Sequence, residues 1–523
     1  MPDPYDLVIV GGGPGGYVGA IRAAQLGLRT ALVERDKVGG TCLHYGCIPT
    51  KALLRTAELL DALRHPAEMG VRADGVAVDF PAAHARKARV VDKLHKGTQF
   101  LMRKHGIDVF HGEARFLNTH DLAVALADGS ETSLRARHVL IATGSAPKSL
   151  PHLPIDQERI LDSTGVLALQ EVPRRLLIVG AGAVGVEFAS LFRAFGSEVT
   201  LVEVLPTLVP LEDEEIGRAL ARAFRRRGIA VHTETTVERV ERRGDELVAT
   251  LRRVRTAGAV PAVGHGAGAG QAGAGQSAGS GHSAGGGQGV GAGQGGAPGR
   301  GAAGEGAGAE QGTETVRADY ILVAVGRAPV VRELAPEEAG VAVDAAGVVV
   351  DEDLRTTVPH IYAIGDVVGT RRPYRLAHVA SDEAITVVER IAGHDPSPID
   401  YQTIPRPTFS IPQVATMGLS EREARAAGRE VRVGRFAFQA NSKAAIEGET
   451  EGLVKVVVDA KVGEVLGVHM VGPGVTELVA EAVAVRALEG TVLELGTAVH
   501  AHPTLAEAVK EAALDAMGRV IHA

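Results

Sequence analysis

Apolar residues run almost unbroken through YDLVIV at 5–10, stop at GGGPGG, and resume with helical spacing in YVGAIRAAQLG. A second apolar run, RTALVE, follows. Unbroken apolar runs bounded by glycine predict strands buried on both faces, and the stretch between them predicts a helix. The unit is strand–helix–strand with a glycine-rich first turn. The same order returns at RRLLIVG-AGAVG-VEFASLFRAFG-SEVTLVE. From about Pro398 the pattern changes to strand runs such as GLVKVVVDA and GEVLGVHMVG. Two helical stretches follow, TELVAEAVAVRALEG and TLAEAVKEAALDAMG, so the C-terminal part reads as a separate α+β domain.

Residues 257–313 fit no such pattern. They are mostly Gly, Ala, Gln and Ser with almost no charge. Such a segment buries too little apolar surface to offset its ordering entropy, and disorder is the expectation. Its flanks, ELVATLRRV and ETVRADYILVAVG, both read as strands, which makes it an overgrown hairpin loop. Growth from a short loop to this length costs only about 2 kcal/mol of closure entropy. A tolerated expansion is one reading; a tether or partner-binding segment is the other.

A chain of 523 residues suggests two to four domains. Hydrophobic content of 45% and charged content of 23% are ordinary for a globular protein. A net charge of −8 gives no sign of nucleic-acid binding. The N-terminus, MPDPYDLVIVGGG, enters a strand without a secretory leader pattern, and no run of 18 apolar residues marks a membrane span. A cytoplasmic location is expected. There a structural disulfide is unusual and a catalytic dithiol is not.

Gly11, Gly13 and Gly16 form G-x-G-x-x-G between strand and helix. The first glycine makes the turn, the second admits a pyrophosphate, and the third lets helix and strand pack. Glu34 closes the second strand, where an acid can bind ribose hydroxyls. Gly180, Gly182, Gly185 and Glu203 repeat the glycine spacing, the acid and its distance. A carboxylate at 203 repels a 2′-phosphate, and LVEVLPTL offers no arginine to receive one, which favours NAD over NADP. Two nucleotide turns with a pair of cysteines between them suggest an electron relay, FAD at one site and NAD at the other.

The pair is Cys42 and Cys47 in GGTCLHYGCIPTK, the only cysteines of the chain. Core packing, metal binding and redox chemistry all remain open for them. Zinc needs two more ligands, and the histidines show no paired spacing to supply them. A regular helix would put the two Cα atoms about 7.5 Å apart, too far for a disulfide. Gly46 and Pro49 are expected to make the backbone irregular there. HAHPTLAE supplies a candidate base, His502, with Glu507 five residues on to hold its ring; His500 is a competing histidine.

VIVGGGPGGYVGAIRAAQLG, GGTCLHYGCIPTKALL, VGAGAVGVEFAS, AIGDVVG and HAHPTLAEAVKEA together resemble the flavin-dependent pyridine nucleotide–disulfide oxidoreductases, and within them the dihydrolipoamide dehydrogenase branch. The resemblance covers nearly all the chain outside 257–313. It implies an α/β fold of two Rossmann-like dinucleotide-binding domains, for FAD and NAD, plus a C-terminal α+β dimerisation domain. The expected boundaries are 1–153 (FAD), 154–326 (NAD, with the insertion), 327–397 (FAD/central) and 398–523 (interface). It implies that Cys42 meets substrate and that Cys47 faces the flavin in a redox-active disulfide. Lys51 would lie near the flavin and pair with Glu187. Asp366, Ala142, Thr143 and Gly144 would contact FAD, and Gly326 of VAVGRAP would belong to the NAD site. His502 and Glu507 would act on the partner subunit's disulfide, so a homodimer is expected, serving the lipoyl domains of 2-oxo acid dehydrogenase complexes with no nucleic acid or membrane partner and no metal. CIPTK and the absence of C-terminal cysteines disfavour glutathione-type and mercuric reductases. A related NAD(P)H-dependent reductase of another disulfide or a quinone, and a complex-bound scaffold, are the alternatives. His44-Tyr45, where Asn-Val is frequent, and Ile411, where a polar residue is usual, depart from the family pattern.

Overall fold

The computed structural model describes residues 3–64, 69–254, 313–369 and 374–522. The expected disordered insertion lies outside these, apart from its last residue. Thr313 already belongs to strand Thr313–Ala318, because its backbone pairs with Arg252.

The first strand–helix–strand unit is Tyr5–Val10, Pro14–Gln25 and Thr30–Glu34, with the two strands parallel. Strands Asp108–Phe116, Glu131–Ile141 and Ile361–Ala363 complete a parallel sheet around them. Asp108–Phe116 and Glu131–Ile141 run on past that sheet and sandwich Asp121–Leu126 in an antiparallel extension. Leu7, Val8, Ile9, Leu32 and Leu140 are fully buried, as unbroken apolar runs covered on both faces require.

The second unit repeats this plan. Arg175–Val179, Ala183–Phe195 and Glu198–Val202 are its strand, helix and strand, in a five-stranded parallel sheet. Beside it lies an antiparallel trio, Thr235–Arg243, Glu246–Arg253 and Thr313–Ala318. The two strands flanking the insertion are therefore hairpin partners, as the sequence suggested.

The third unit is a five-stranded antiparallel sheet that includes Leu453–Asp459 and Val465–Gly472. Helices Val475–Ala487 and Glu507–Ala516 supply Val475, Val479, Val509 and Ala512 to its core. The last helix starts at Glu507, not at Thr504 as the apolar spacing implied. The Glu507 carboxylate accepts the Thr504 N–H at 2.8 Å and so stands at the helix entrance. Second and third units meet through Lys455, only 4% exposed, whose ammonium pairs with Asp213, Glu215 and Glu421 at 3.0–3.2 Å. A buried cation with three carboxylates ties the units in one register.

Two helices at the centre place the chemistry. Helix Cys47–Ala62 packs its Leu53, Leu54 and Ala57 against Phe188, Leu191 and Phe192 of helix Ala183–Phe195. One begins with a candidate redox cysteine; the other begins at the second glycine turn.

Candidate functional site

The three glycines of each turn divide into two kinds. A Cβ at Gly11 would stand 2.3 Å from the Ala142 carbonyl oxygen, and Gly11 has φ +104°. A Cβ at Gly16 would fall 1.8 Å from the Gly11 carbonyl oxygen. These two are needed by the fold itself. Gly13 has nothing within 4 Å of that position and opens onto space at the start of helix Pro14–Gln25. The second turn repeats each relation: Gly180 against Ala324, Gly185 against Gly180 at 1.9 Å, and Gly182 open. Neither helix carries a side-chain cap at its N-terminus. Two uncapped helix starts, each with a bare backbone beside it, fit the pyrophosphates of two dinucleotides.

Glu34 accepts the N–H groups of Gly12 at 2.6 Å and Asp36 at 2.8 Å. Glu203 accepts those of Ala181 at 2.7 Å and Leu205 at 2.9 Å, and stands one residue beyond its strand. Each carboxylate is thus aimed at its glycine turn. Each oxygen keeps a second lone pair for a ribose hydroxyl.

The remaining residues expected at the first nucleotide form a connected group. Thr143 donates its hydroxyl to the Val330 carbonyl at 2.6 Å, and the Gly144 carbonyl accepts the Val330 N–H. Ser145 donates to Asp366 at 2.5 Å, and Arg327 donates to Ser145 at 2.6 Å. Gly326 lies next to Arg327 with φ +107° and open space around it. Arg327 and Ser145 were not singled out in the sequence. Strand Arg327–Pro329 pairs with Ser145–Pro147, so a contact between residues 182 positions apart depends on tertiary folding.

Cys42 lies in the short helix Gly40–His44, and Cys47 opens the next helix. The break falls at Tyr45–Gly46. Pro49 does not contribute to it, because in the first helical turn its missing N–H has no partner to lose. Both cysteines are free thiols. The hydrogen bond from Cys42 is the largest cause holding the Cys47 thiol down to about 7, with Lys51 aiding it against burial. Cys42 is pushed up, first by that same bond and then by burial. Of the two thiols, Cys47 is therefore the one that ionises first. Lys51 Nζ reaches both Glu187 oxygens, at 2.7 and 2.6 Å, linking the two central helices. Glu187 also accepts the Phe409 N–H at 2.9 Å, and the Lys51 ammonium lies 4.9 Å from the Phe409 ring centroid. Phe409 comes from the third unit and carried no sequence signal. Ile411, two residues on, donates its N–H to the Ser190 hydroxyl at 2.9 Å.

The segment before Cys42 touches the first glycine turn. Gly39 donates to the Gly12 carbonyl at 2.7 Å, and a Cβ at Gly40 would meet Gly13 Cα at 2.7 Å. The Val38 carbonyl lies 3.1 Å from His44 Nε2 and 3.1 Å from His95 Nδ1. A carbonyl only accepts, so both ring nitrogens carry protons. Burial is the main reason His44 sits below its ordinary pKa; the neighbouring His95 and Lys37 add to it. His44 thus anchors the loop between the two cysteines through this hydrogen bond. Tyr45 donates to Asp36 at 2.5 Å.

His502 Nδ1 stands 2.9 Å from Glu507 Oε1, with the imidazole 70% exposed. Burial raises the Glu507 pKa, but the Thr504 N–H and His502 outweigh it and keep the carboxyl below its ordinary value. No hydrogen bond joins His502 to either cysteine among the described residues. His500 is engaged elsewhere, at 2.7 Å from Glu481. Among the described residues no group of three or more His, Cys, Asp or Glu could hold a metal ion, and no helix is long and apolar enough to cross a membrane.

The profile described as pyridine nucleotide-disulphide oxidoreductase matches residues 5–286 and 300–384, and that family's dimerisation domain matches 404–513. Dihydrolipoyl dehydrogenase of Bacillus subtilis (strain 168) is 38% identical, with all of both chains covered. Dihydrolipoyl dehydrogenase 3 of Pseudomonas aeruginosa is 40% identical, again over all of both. Among solved structures, the HOCl-induced flavoprotein disulfide reductase RclA of Escherichia coli, in its Cu(II) complex, superposes with a TM-score of 0.77 at 27% identity, covering 98% of this chain and 99% of that one.

Proposed function

The chain belongs to the pyridine nucleotide-disulphide oxidoreductase family, and on that premise we propose that it oxidises protein-bound dihydrolipoamide to lipoamide and reduces NAD⁺ to NADH. One observation carries the reading: a hydrogen-bonded Cys42–Cys47 pair with Lys51 beside it, the ammonium held by both Glu187 oxygens at 2.7 and 2.6 Å. The similarity to dihydrolipoyl dehydrogenases supports the substrate.

The family uses FAD and NAD(P). Gly13 and its open helix start, Glu34, the Ala142–Gly144 segment, Asp366 and Lys51 would hold FAD. Gly182, Glu203 and Gly326 would hold NAD. Bound there, FAD would supply a two-electron acceptor for the dithiol, and NAD⁺ the final hydride acceptor.

In its oxidised form the pair is a Cys42–Cys47 disulfide. His502 takes the proton of one substrate thiol, held in orientation by Glu507. The resulting thiolate bonds to Cys42 Sγ as the Cys42–Cys47 bond breaks, and Cys47 leaves as thiolate. The second substrate thiol then gives its proton to Cys42 as its sulfur displaces Cys42 from the mixed disulfide, closing the lipoamide ring. Two electrons and two protons leave the substrate, and the electrons rest on the two cysteines. Lys51 steadies the Cys47 charge, while Glu187 holds the ammonium in place. His502 is exposed on its own chain, which suits action at the disulfide of a second subunit in a homodimer. This reading places the protein in the cytoplasm beside a 2-oxo acid dehydrogenase complex.

Reduction of the purified flavoprotein with dihydrolipoamide is expected to give a long-wavelength thiolate–flavin absorption band, then NADH on addition of NAD⁺. Rapid NADH oxidation by a quinone with no dihydrolipoamide turnover would instead assign the fold to another reductase. Bound FAD with neither activity would assign it to a scaffold.

A further inference from the structure

Helix Phe80–Lys104 carries seven lysines and arginines and a single carboxylate, Asp92, in a chain whose net charge is −8. The cations are not scattered. Arg86, Arg89, Lys93, Lys96 and Arg103 follow one another at steps of three and four, with Phe100 filling the one gap, and all six are exposed. Such spacing puts them in one row about 26 Å long on the outward face. Lys87, off that row, is turned inward to the Leu167 carbonyl at 2.8 Å.

Local stability does not explain the row. Like charges three and four residues apart weaken a helix by a few tenths of a kcal/mol per pair. Lys96 has Asp92 at 2.7 Å, and Arg86 donates to the Ala52 carbonyl at 2.9 Å. No ion pair joins Arg89, Lys93 or Arg103 among the described residues. Two apolar side chains accompany the charges, Leu94 at 43% and Phe100 at 57% exposure. Exposed apolar side chains among charges that lack partners leave a face that a partner of opposite charge can cover.

Its place in the fold gives the row a purpose. His95, between Lys93 and Lys96, has its ring 4.8 Å from that of His44, two residues beyond Cys42. The helix that carries the cations therefore packs its inner face on the segment that carries the substrate-facing thiol, and the row looks outward beside it. We propose that the exposed row of helix Phe80–Lys104 is the docking surface for an acidic carrier domain that delivers the dithiol to Cys42. The inference rests on the dihydrolipoamide reading. Charge complementarity selects an acidic partner, and the adjacency to Cys42 selects the carrier over a remote binding protein.

The test compares free dihydrolipoamide with the same group on a lipoylated, net-acidic carrier domain, using the FAD-loaded enzyme. Arg89→Glu/Lys93→Glu is expected to raise KM for the carrier-borne substrate by ~10-fold or more, with free dihydrolipoamide turned over as by wild type. Arg89→Gln/Lys93→Gln, which adds no charge, is expected to show a smaller rise in the same direction. Added salt should raise the wild-type carrier KM and leave that of the reversal variant nearly flat. An unchanged carrier KM in both variants, with normal turnover of free substrate, would overturn the docking surface alone. Wild-type binding to phosphatidylserine vesicles, lost on charge reversal while carrier KM stays constant, would give the face to a membrane instead. No turnover of free dihydrolipoamide by wild type would remove the underlying function, and the proposal with it.

Discussion

At the scale of single residues, the asymmetry between the cysteines has a direct pH consequence. The Cys47 thiol is held down to about 7, so its thiolate dominates above that pH and is lost as pH falls below it. The thiolate–flavin band of the two-electron-reduced protein should fade over the same range. Cys42→Ala removes the largest cause of the shift and should move the midpoint upward; Lys51→Met, removing a lesser one, should move it less. Absorbance titration of the reduced variants checks the order. The cysteines and both acid–glycine sets stand out in the sequence by their local spacing, and Lys51 by the resemblance of CIPTK to the family motif. Phe409, Arg327 and His95 do not. Each reaches the site from a distant segment, and a ring or guanidinium in an ordinary strand or helix leaves no local pattern.

At the scale of elements, the glycines of one turn should fail in different ways. Gly16→Ala drives a methyl into the Gly11 carbonyl and should abolish folded, flavin-loaded protein. Gly13→Ala meets no protein atom and should fold, yet retain FAD poorly, because the methyl fills the space left for a pyrophosphate. Flavin content per folded chain separates the two. Gly182→Ala should spare flavin and raise KM for NAD⁺. The strand–helix–strand units were readable because unbroken apolar runs admit few alternatives. The start of the last helix was not, since the apolar period runs through Thr504 while the Glu507 carboxylate, bonded to Thr504 N–H, sets the boundary. The hairpin around the insertion also tests simply. Arg252 and Thr313 are register partners, so a short turn replacing 255–312 should leave melting temperature and NADH turnover near those of the full chain.

At the scale of the whole molecule, the exposed His502–Glu507 pair predicts that the site is shared between subunits. His502→Gln and Cys42→Ser chains should each be inactive alone. Mixed by unfolding and refolding, they should recover about a quarter of wild-type activity, because half the dimers are hybrids and each hybrid rebuilds one of two sites. No recovery, with hybrids present by mass, would place His502 and the cysteines in a single subunit. The overall architecture was readable as two nucleotide units and a third domain; the Lys455 cluster that joins the second unit to the third was not, being a meeting of charges from separate strands and helices. The deeper regularity lies in the two turns. Gly11 and Gly16 are closed by backbone and Gly13 is open, and Gly180, Gly185 and Gly182 repeat that arrangement, as do Glu34 and Glu203 in their two amide bonds. Such agreement makes the two turns equivalent in plan, each offering the same cradle to a ligand. What breaks the symmetry between them is helix Cys47–Ala62, which opens with a cysteine and packs against the helix of the second turn.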